Sequence, residues 1–437
     1  MASTIERIAG WARALSFEDV PEEVRELARA QRRSVLAAIA ASGEDEAARR
    51  VLAAIAEDAP DGPAPLVSSA RRVRAEEAIY GASALSIALD FDDYLCFGHS
   101  GHSAVLVPMM LAAETGASGR EQLLAQIIAN EIEARLGGAC LIGPLNGQLW
   151  SFIHAAGTAL AAGRLLGLDA ERLAHALAIA LYQAPRPTVP GFMAPDSKLL
   201  TAAEPTMIGL RAARLAARGV TGPLDALDHA HGFLSAFAFT PLARMLEQGG
   251  GWASRTLCIK PYPGCAYVDT TLDAMRAIGP LEAGAIESIE VHAGLLTCGM
   301  DGLSRPYAGG APTPVTVTFS VRWNVAIAIL AGQVTAREVS AAWLGERATE
   351  LTRLAQRDLA EARPRADAPH ARGLRARAGA ARGPRSRRQG RAGAGLRRHA
   401  PRAPQRGAAR DRPPPRCSAC GRAPASRGTT RRCAPSP

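Results

Sequence analysis

The chain loses the means to build an apolar core near residue 360. Beyond that position there is no Val, Ile, Met, Phe, Trp or Tyr, and the only leucines are Leu374 and Leu396. Residues 361–437 instead carry 21 arginines against three acids, Glu361, Asp367 and Asp411. Such a segment cannot bury enough apolar surface to offset its ordering entropy, so a disordered tail is expected. The tail's net charge is +18, which leaves −8 on residues 1–360, so the overall +10 says nothing about the body. Three readings of the tail compete: a basic arm held to nucleic acid by charge, an ordinary disordered extension, or GC-rich codons read out of frame. The last accounts best for the abrupt change and for the absence of interleaved lysine, aromatic residues or a repeat. Nucleic acid therefore enters as a partner only through this tail. The tail's Cys417 and Cys420 have CxxC spacing but no second ligand pair, so no metal is expected there.

The body reads as helix to about residue 254. Apolar residues recur at helical spacing over 4–14, 21–42 and about 45–57, and again in "RAEEAIYGASALSIALD", "VPMMLAAETG", "GREQLLAQIIANEIEARLGG", "IHAAGTALAAGRLLGLD", "DAERLAHALAIALYQA" and "EPTMIGLRAARLAARGVTG". These helices are rich in small residues and poor in polar surface, as in a large helical core with subunit contacts. After 255 the pattern changes: "AIESIEVHAG" alternates like a strand, and "PTPVTVTFSVRWNVAIAILAG" reads as an extended entry into a helix. The expected fold is mainly α: an all-helical domain over 1–254, a smaller α+β lid domain over 255–360, and the disordered Arg-rich tail over 361–437. The five body cysteines (Cys96, Cys140, Cys258, Cys265, Cys298) are irregularly spaced, which suggests reduced thiols. With no signal-peptide pattern and no apolar run of membrane length, a cytoplasmic protein with no membrane association is expected. No glycine-rich phosphate motif occurs between a strand and a helix, so nucleotide binding has no support.

Two features could carry chemistry. "LDFDDYLCFGHSGHSAVLVP" packs three acids and two histidines, Asp90, Asp92, Asp93, His99 and His102, into thirteen positions. Asp92 or Asp93 could simply cap a helix, and His99 could simply bond backbone in a Gly-rich loop. The spacing matches neither a helical zinc motif nor a calcium loop, so no metal is expected. The second feature is lysine itself. Of 51 basic side chains only Lys198, in "DSKLL", and Lys260, in "IKPYPGC", are lysine. Where arginine serves everywhere else, these two positions call for a compact, titratable ammonium on a flexible stem.

Taken together, "LDFDDY…GHSAVLVP", "SKLLTAAEPTMIGLRAARLAARGVTGP", "HGFL" and "IKPYPGC" resemble the MmgE/PrpD family, over about residues 4–355. That family includes 2-methylcitrate dehydratase and cis-aconitate decarboxylase. The resemblance implies a helical domain with an α+β lid, a homodimer, and a small carboxylate substrate bound between the domains without metal or organic cofactor. Matched by motif, the implied catalytic residues are Asp90, His102, Lys198 and Lys260. Tyr94, His99, Gln148 and Trp323 would line the substrate. Three of these depart from the family pattern. Tyr94 stands where threonine is usual, Gln148 where a site histidine is usual, and Trp323 where an aromatic hydroxyl is usual. His154, six residues after Gln148, reads mainly as a packed helix residue. The implied reaction is lyase chemistry, dehydration or decarboxylation, on a di- or tricarboxylate. The alternatives are an isomerase or epimerase of an amino-dicarboxylate, or an inactive truncated family member with a basic nucleic-acid-binding tail.

Overall fold

The structure, a computed structural model, describes residues 2–96, 98–144, 151–249 and 251–356, and beyond them the backbone of 359–364 and 373–378. Gln148 lies outside the described residues. The chain opens with α1 (Thr4–Ala14), α2 (Glu22–Ser42) and α3 (Glu46–Asp58). A short hairpin follows, β1 (Asp61–Pro65) and β2 (Arg72–Val73), then α4 (Ala75–Ser86), β3 (Asp93–Leu95), α5 (Gly101–Ala104) and α6 (Leu106–Thr115). The central helices are α7 (Gly119–Ala139), α8 (Ser151–Leu165), α9 (Ala170–Tyr182), α10 (Val189–Met193), α11 (Leu200–Ala217) and α12 (Phe233–Phe237). Local chemistry sets many of the ends. Ser3 with Glu6 and Ser118 with Glu121 form reciprocal caps on α1 and α7. Asp45 and Asp169 accept from the first free amides of α3 and α9.

The second half contains β4 (Leu257–Ile259), α13 (Ala266–Ile278), β5 (Ile286–Ala293), α14 (Leu295–Ser304), α15 (Pro314–Thr318), α16 (Val321–Ala331), α17 (Ala341–Glu346) and α18 (Ala348–Gln356). Two strands, β6 (Leu359–Pro364) and β7 (Gly373–Ala378), then flank β5. β6 runs parallel to it and β7 antiparallel. Strand pairing therefore crosses the expected boundary at 360.

The fold is mainly helical, with two apolar cores. The first draws on residues between Ile5 and Leu246. Within it α8 packs against α7, α9 and α11, and α11 also packs on α4. The close approach of α8 and α11 depends on Gly209: a Cβ there would collide with the Ala155 carbonyl and with Thr158. Pro205 inside α11 cannot donate to the carbonyl of Thr201. That carbonyl accepts instead from Ser151 Oγ at 2.6 Å, which ties the start of α8 to the first turns of α11. The second core combines Leu89, Phe192 and Met193 with residues between Cys265 and Ala355.

Three local expectations change. The region before 254 is not purely helical, because the β1–β2 hairpin and β3 interrupt it. Their short strands are defined by partners and carry no alternating pattern of their own. "PTPVTV" is the helix α15 and not an extended entry. Thr313 forms a reciprocal cap with Thr316, and Pro314 fills the first turn, which together outweigh the β-branched residues. The helical pattern that the sequence shows in "TAREVSAAWLGERATELTRLAQRDLAEA", after Val334, divides into α17, α18 and the strand β6. All five body cysteines are free thiols, as expected.

Candidate active site

The acidic segment forms a loop between the two cores, since Ala88 belongs to the first and Leu89 to the second. β3 pairs antiparallel with β4, with Asp93 opposite Ile259 and Leu95 opposite Leu257. This ladder delivers Lys260, the residue after β4, to the acids. Lys260 Nζ donates to the Asp90 carbonyl at 2.6 Å and to Asp92 Oδ1 at 3.0 Å, and lies 3.4 Å from Asp90 Oδ1. Lys198 arrives from the other side, on a single 3-10 turn (Asp196–Leu199) just before α11. Its Nζ donates to the Ile87 carbonyl at 2.6 Å, just past the end of α4, where helix carbonyls lack partners and attract cations. Both lysines are buried and clamp carbonyls of one loop, a role suited to a point donor on a flexible stem. Within that loop Asp90 has φ of 51°, a left-handed conformation uncommon outside glycine and a form of strain that collects at functional sites.

The three acids have different surroundings. Asp92 Oδ2 accepts from His99 Nδ1 at 3.0 Å and lies 3.1 Å from His102 Nε2, off the hydrogen-bond axis. His102 Nδ1 meets Ser86 Oγ at 2.7 Å. Asp93 turns the other way, into a cluster of buried amides, where Gln31 Nε2 (3.0 Å) and Ser100 Oγ (3.3 Å) donate to it. Asp90 Oδ2 is buried with no hydrogen-bond partner among the described residues. Burial alone pushes every one of these carboxyls up. At Asp92 the Lys260 ammonium, His102 and His99 outweigh burial and hold the group well below the usual range. At Asp90 Lys260 and Lys198 also outweigh burial and lower the group. Asp93, buried beside the Asp92 charge, is raised.

The lysines split in the same way. Burial and the neighbouring Lys260 lower Lys198, against the pull of Asp90. Burial also acts against the charged form of Lys260, but Asp90 and Asp92 prevail and raise it. The site thus holds one ammonium fixed by two carboxylates and a second that is easier to deprotonate. Asp269, in the first turn of α13, is pushed up to about 7 by burial, with Lys260 opposing the shift.

Of the residues expected from sequence, Asp90, His99, His102, Lys198 and Lys260 converge. Tyr94 is half-buried in β3 opposite Cys258, and Trp323 is buried in the second core with its indole N–H unpartnered. Asp92 makes most of the ionic contacts, although the sequence left it between a member of the acidic cluster and a simple helix cap. His154 is fully buried, with its ring centroid 5.8 Å from that of His102, and Glu133 faces it from α7. Nothing in the local pattern separates these two from ordinary helix positions. Asp92, His99 and His102 have ligand atoms within 4.8 Å of one another, a set that spacing along the chain does not suggest and that is able to hold a divalent ion. A cavity of about 700 Å³ lies elsewhere, between α13 and α16.

The fold and site define a mainly helical protein built around a buried acid, histidine and lysine cluster. The model of the MmgE/PrpD N-terminal domain matches residues 6–244, more than half of the chain, and the chain belongs to the MmgE/PrpD family. No curated protein matches it. Among the described residues no helix is long and apolar enough to cross a membrane.

Proposed function

We propose that this chain is a lyase acting on a small di- or tricarboxylate, by dehydration or decarboxylation through proton transfer next to a carboxylate. The observation that carries the reading is the convergence of the only two lysines with Asp90, Asp92 and His102 around one strained loop. Removing a proton beside a carboxylate builds negative charge on its oxygens. Ammonium groups already fixed in a water-poor site stabilise that charge without reorganisation. Lys198 suits direct contact with substrate, because among the described residues its ammonium has no carboxylate within salt-bridge distance and is easier to deprotonate. Lys260 serves to hold Asp90 and Asp92 ionised. His99 and His102, both against Asp92, are the groups suited to moving the proton.

The test is turnover of a panel of di- and tricarboxylates, followed by NMR in heavy water, with Lys198→Met as the control. The expected result is loss of water or carbon dioxide by the parent chain and a fall of at least about a hundredfold in kcat/KM in the variant, with the fold retained. Proton exchange without loss of either would move the reading to an isomerase. Undiminished turnover by Lys198→Met would remove Lys198 from the mechanism.

A further inference from the structure

Behind His102, away from the lysines, α5, α7 and α8 enclose a second polar unit that the reading above does not use. Ser103 Oγ lies 2.8 Å from Glu133 Oε1 and 2.8 Å from His154 Nδ1. All three residues are fully buried. Glu133 reaches this place only because α8 has a glycine at 157, where any Cβ would collide with the Glu133 carboxyl. Among the described residues Glu133 Oε2 and His154 Nε2 have no hydrogen-bond partner, although Oε2 lies 3.8 Å from His154 Nδ1. A unit that served packing alone would be expected to satisfy these atoms, since each unpaired buried polar atom costs stability.

We propose that Glu133, Ser103 and His154 form a proton relay that delivers a proton to the candidate site through His154 Nε2. This proposal rests on the lyase reading. In the loaded form the Glu133 carboxyl donates to Ser103 Oγ, the Ser103 hydroxyl donates to Nδ1, and Nε2 carries the transferable proton. When Nε2 gives up that proton, the hydroxyl proton moves to Nδ1 and the carboxyl proton moves to Ser103. Glu133 is then the anion, accepting from Ser103, and His154 is neutral, with a lone pair on Nε2. One proton leaves and no other reactant is needed. The proton goes to the leaving hydroxyl in a dehydration, or to the carbanion carbon in a decarboxylation. His154 is the delivering group; Ser103 and Glu133 act through it.

The surroundings favour the loaded form at rest. Burial, against the Ser103 hydrogen bond and with the Asp93 charge nearby, raises the Glu133 carboxyl well above its ordinary range. Burial, with the neighbouring His102 and His99, holds His154 well below its own, so the imidazole is neutral. The three imidazoles form a row. The ring centroids of His99 and His102 are 6.0 Å apart and those of His102 and His154 5.8 Å. Of the three imidazoles only that of His99 is partly exposed.

The test has two arms. The first needs no substrate. Infrared difference spectroscopy between the full-length chain and Glu133→Gln at pH 7 should show a protonated carboxyl band belonging to Glu133, and nitrogen-15 NMR should show a neutral His154. An ionised Glu133 at pH 7 overturns the relay, whatever the enzyme's substrate. The second arm uses the substrate found with the panel. Glu133→Gln, His154→Gln and Ser103→Ala should each lower kcat by at least tenfold with little change in KM. Each should remove the alkaline limb of the pH profile, and the double variants should be no worse than the singles. Unchanged kcat and an unchanged pH profile in Glu133→Gln overturn the relay, as do additive losses. If the parent chain turns over no carboxylate while the infrared band is present, the lyase reading fails and the proton store remains. If Glu133→Gln does not fold, Ser103→Ala supplies the kinetic arm, and carbon-13 labelling of glutamate side chains in the parent chain supplies the ionisation state.

Discussion

At the scale of single residues, the site is governed by how burial is offset. Lys260 is the partner of two buried carboxylates, so removing it leaves uncompensated charge in the interior. Lys260→Met should therefore lower unfolding free energy by about 3–5 kcal/mol in urea titrations, and Asp92→Asn should do so by a similar amount. Lost activity in these variants would report the fold as much as the chemistry, which makes Lys198 the better probe of turnover. Glu133 acts in the opposite sense. Its folded pKa is raised, so above its unfolded value of 4.5 the folded chain holds a proton that the unfolded chain has released. Stability from this group should fall as pH rises above that value, by about 1.4 kcal/mol per unit for one proton, until the folded pKa is passed. Chemical denaturation from pH 5 to 8 should show a less negative slope in Glu133→Gln than in the parent chain by that amount, since the contributions of His154, Asp93 and Asp269 are common to both, and the variant should be no less stable at pH 7. Asp92 has the reverse dependence. Its depressed pKa contributes stability above the ordinary carboxylate range that is lost in more acidic solution.

At the scale of elements, the helices that carry the site are fixed by close contacts. Gly209→Ala should force α8 and α11 apart at the Ala155 carbonyl and cost about 1–3 kcal/mol in thermal or urea unfolding. Ser151→Ala should leave the Thr201 carbonyl without a donor and cost about 1–3 kcal/mol. The two changes act on the same helix pair, so their combined effect should differ from the sum in a double-mutant cycle. The helices themselves were legible in the sequence. The cap at Ser118 with Glu121, the Asp169 cap and the apolar spacing of α1 to α3 all appear as local pattern. The strands β1, β2 and β3 were not, because two or three residues of pairing leave no periodicity to read.

At the scale of the whole molecule, the β3–β4 ladder couples the acidic loop of the first half to the lysine of the second, across 168 residues of chain. Weakening one strand should therefore loosen the other. Leu95→Ala, a buried truncation in β3, should raise amide exchange at Leu257–Ile259 together with that at Asp93–Leu95, while α1 and α9 keep their protection. Exchange confined to β3 would mean that the two halves are held together by other contacts.

The sequence by itself determined the mainly helical class, the loss of core-forming residues past 360 and the singular status of Lys198 and Lys260. These follow from composition, helical periodicity and the chemistry of side chains, which a linear string displays directly. Only the tertiary structure decided which acid of the loop meets Lys260 and the histidines, and that Asp93 turns away into amides. It alone brought His154, Ser103 and Glu133 together beneath His102. Those outcomes depend on strand register, on one helix crossing another at a glycine, and on how deeply each charge is buried. All three are set between residues far apart in the chain.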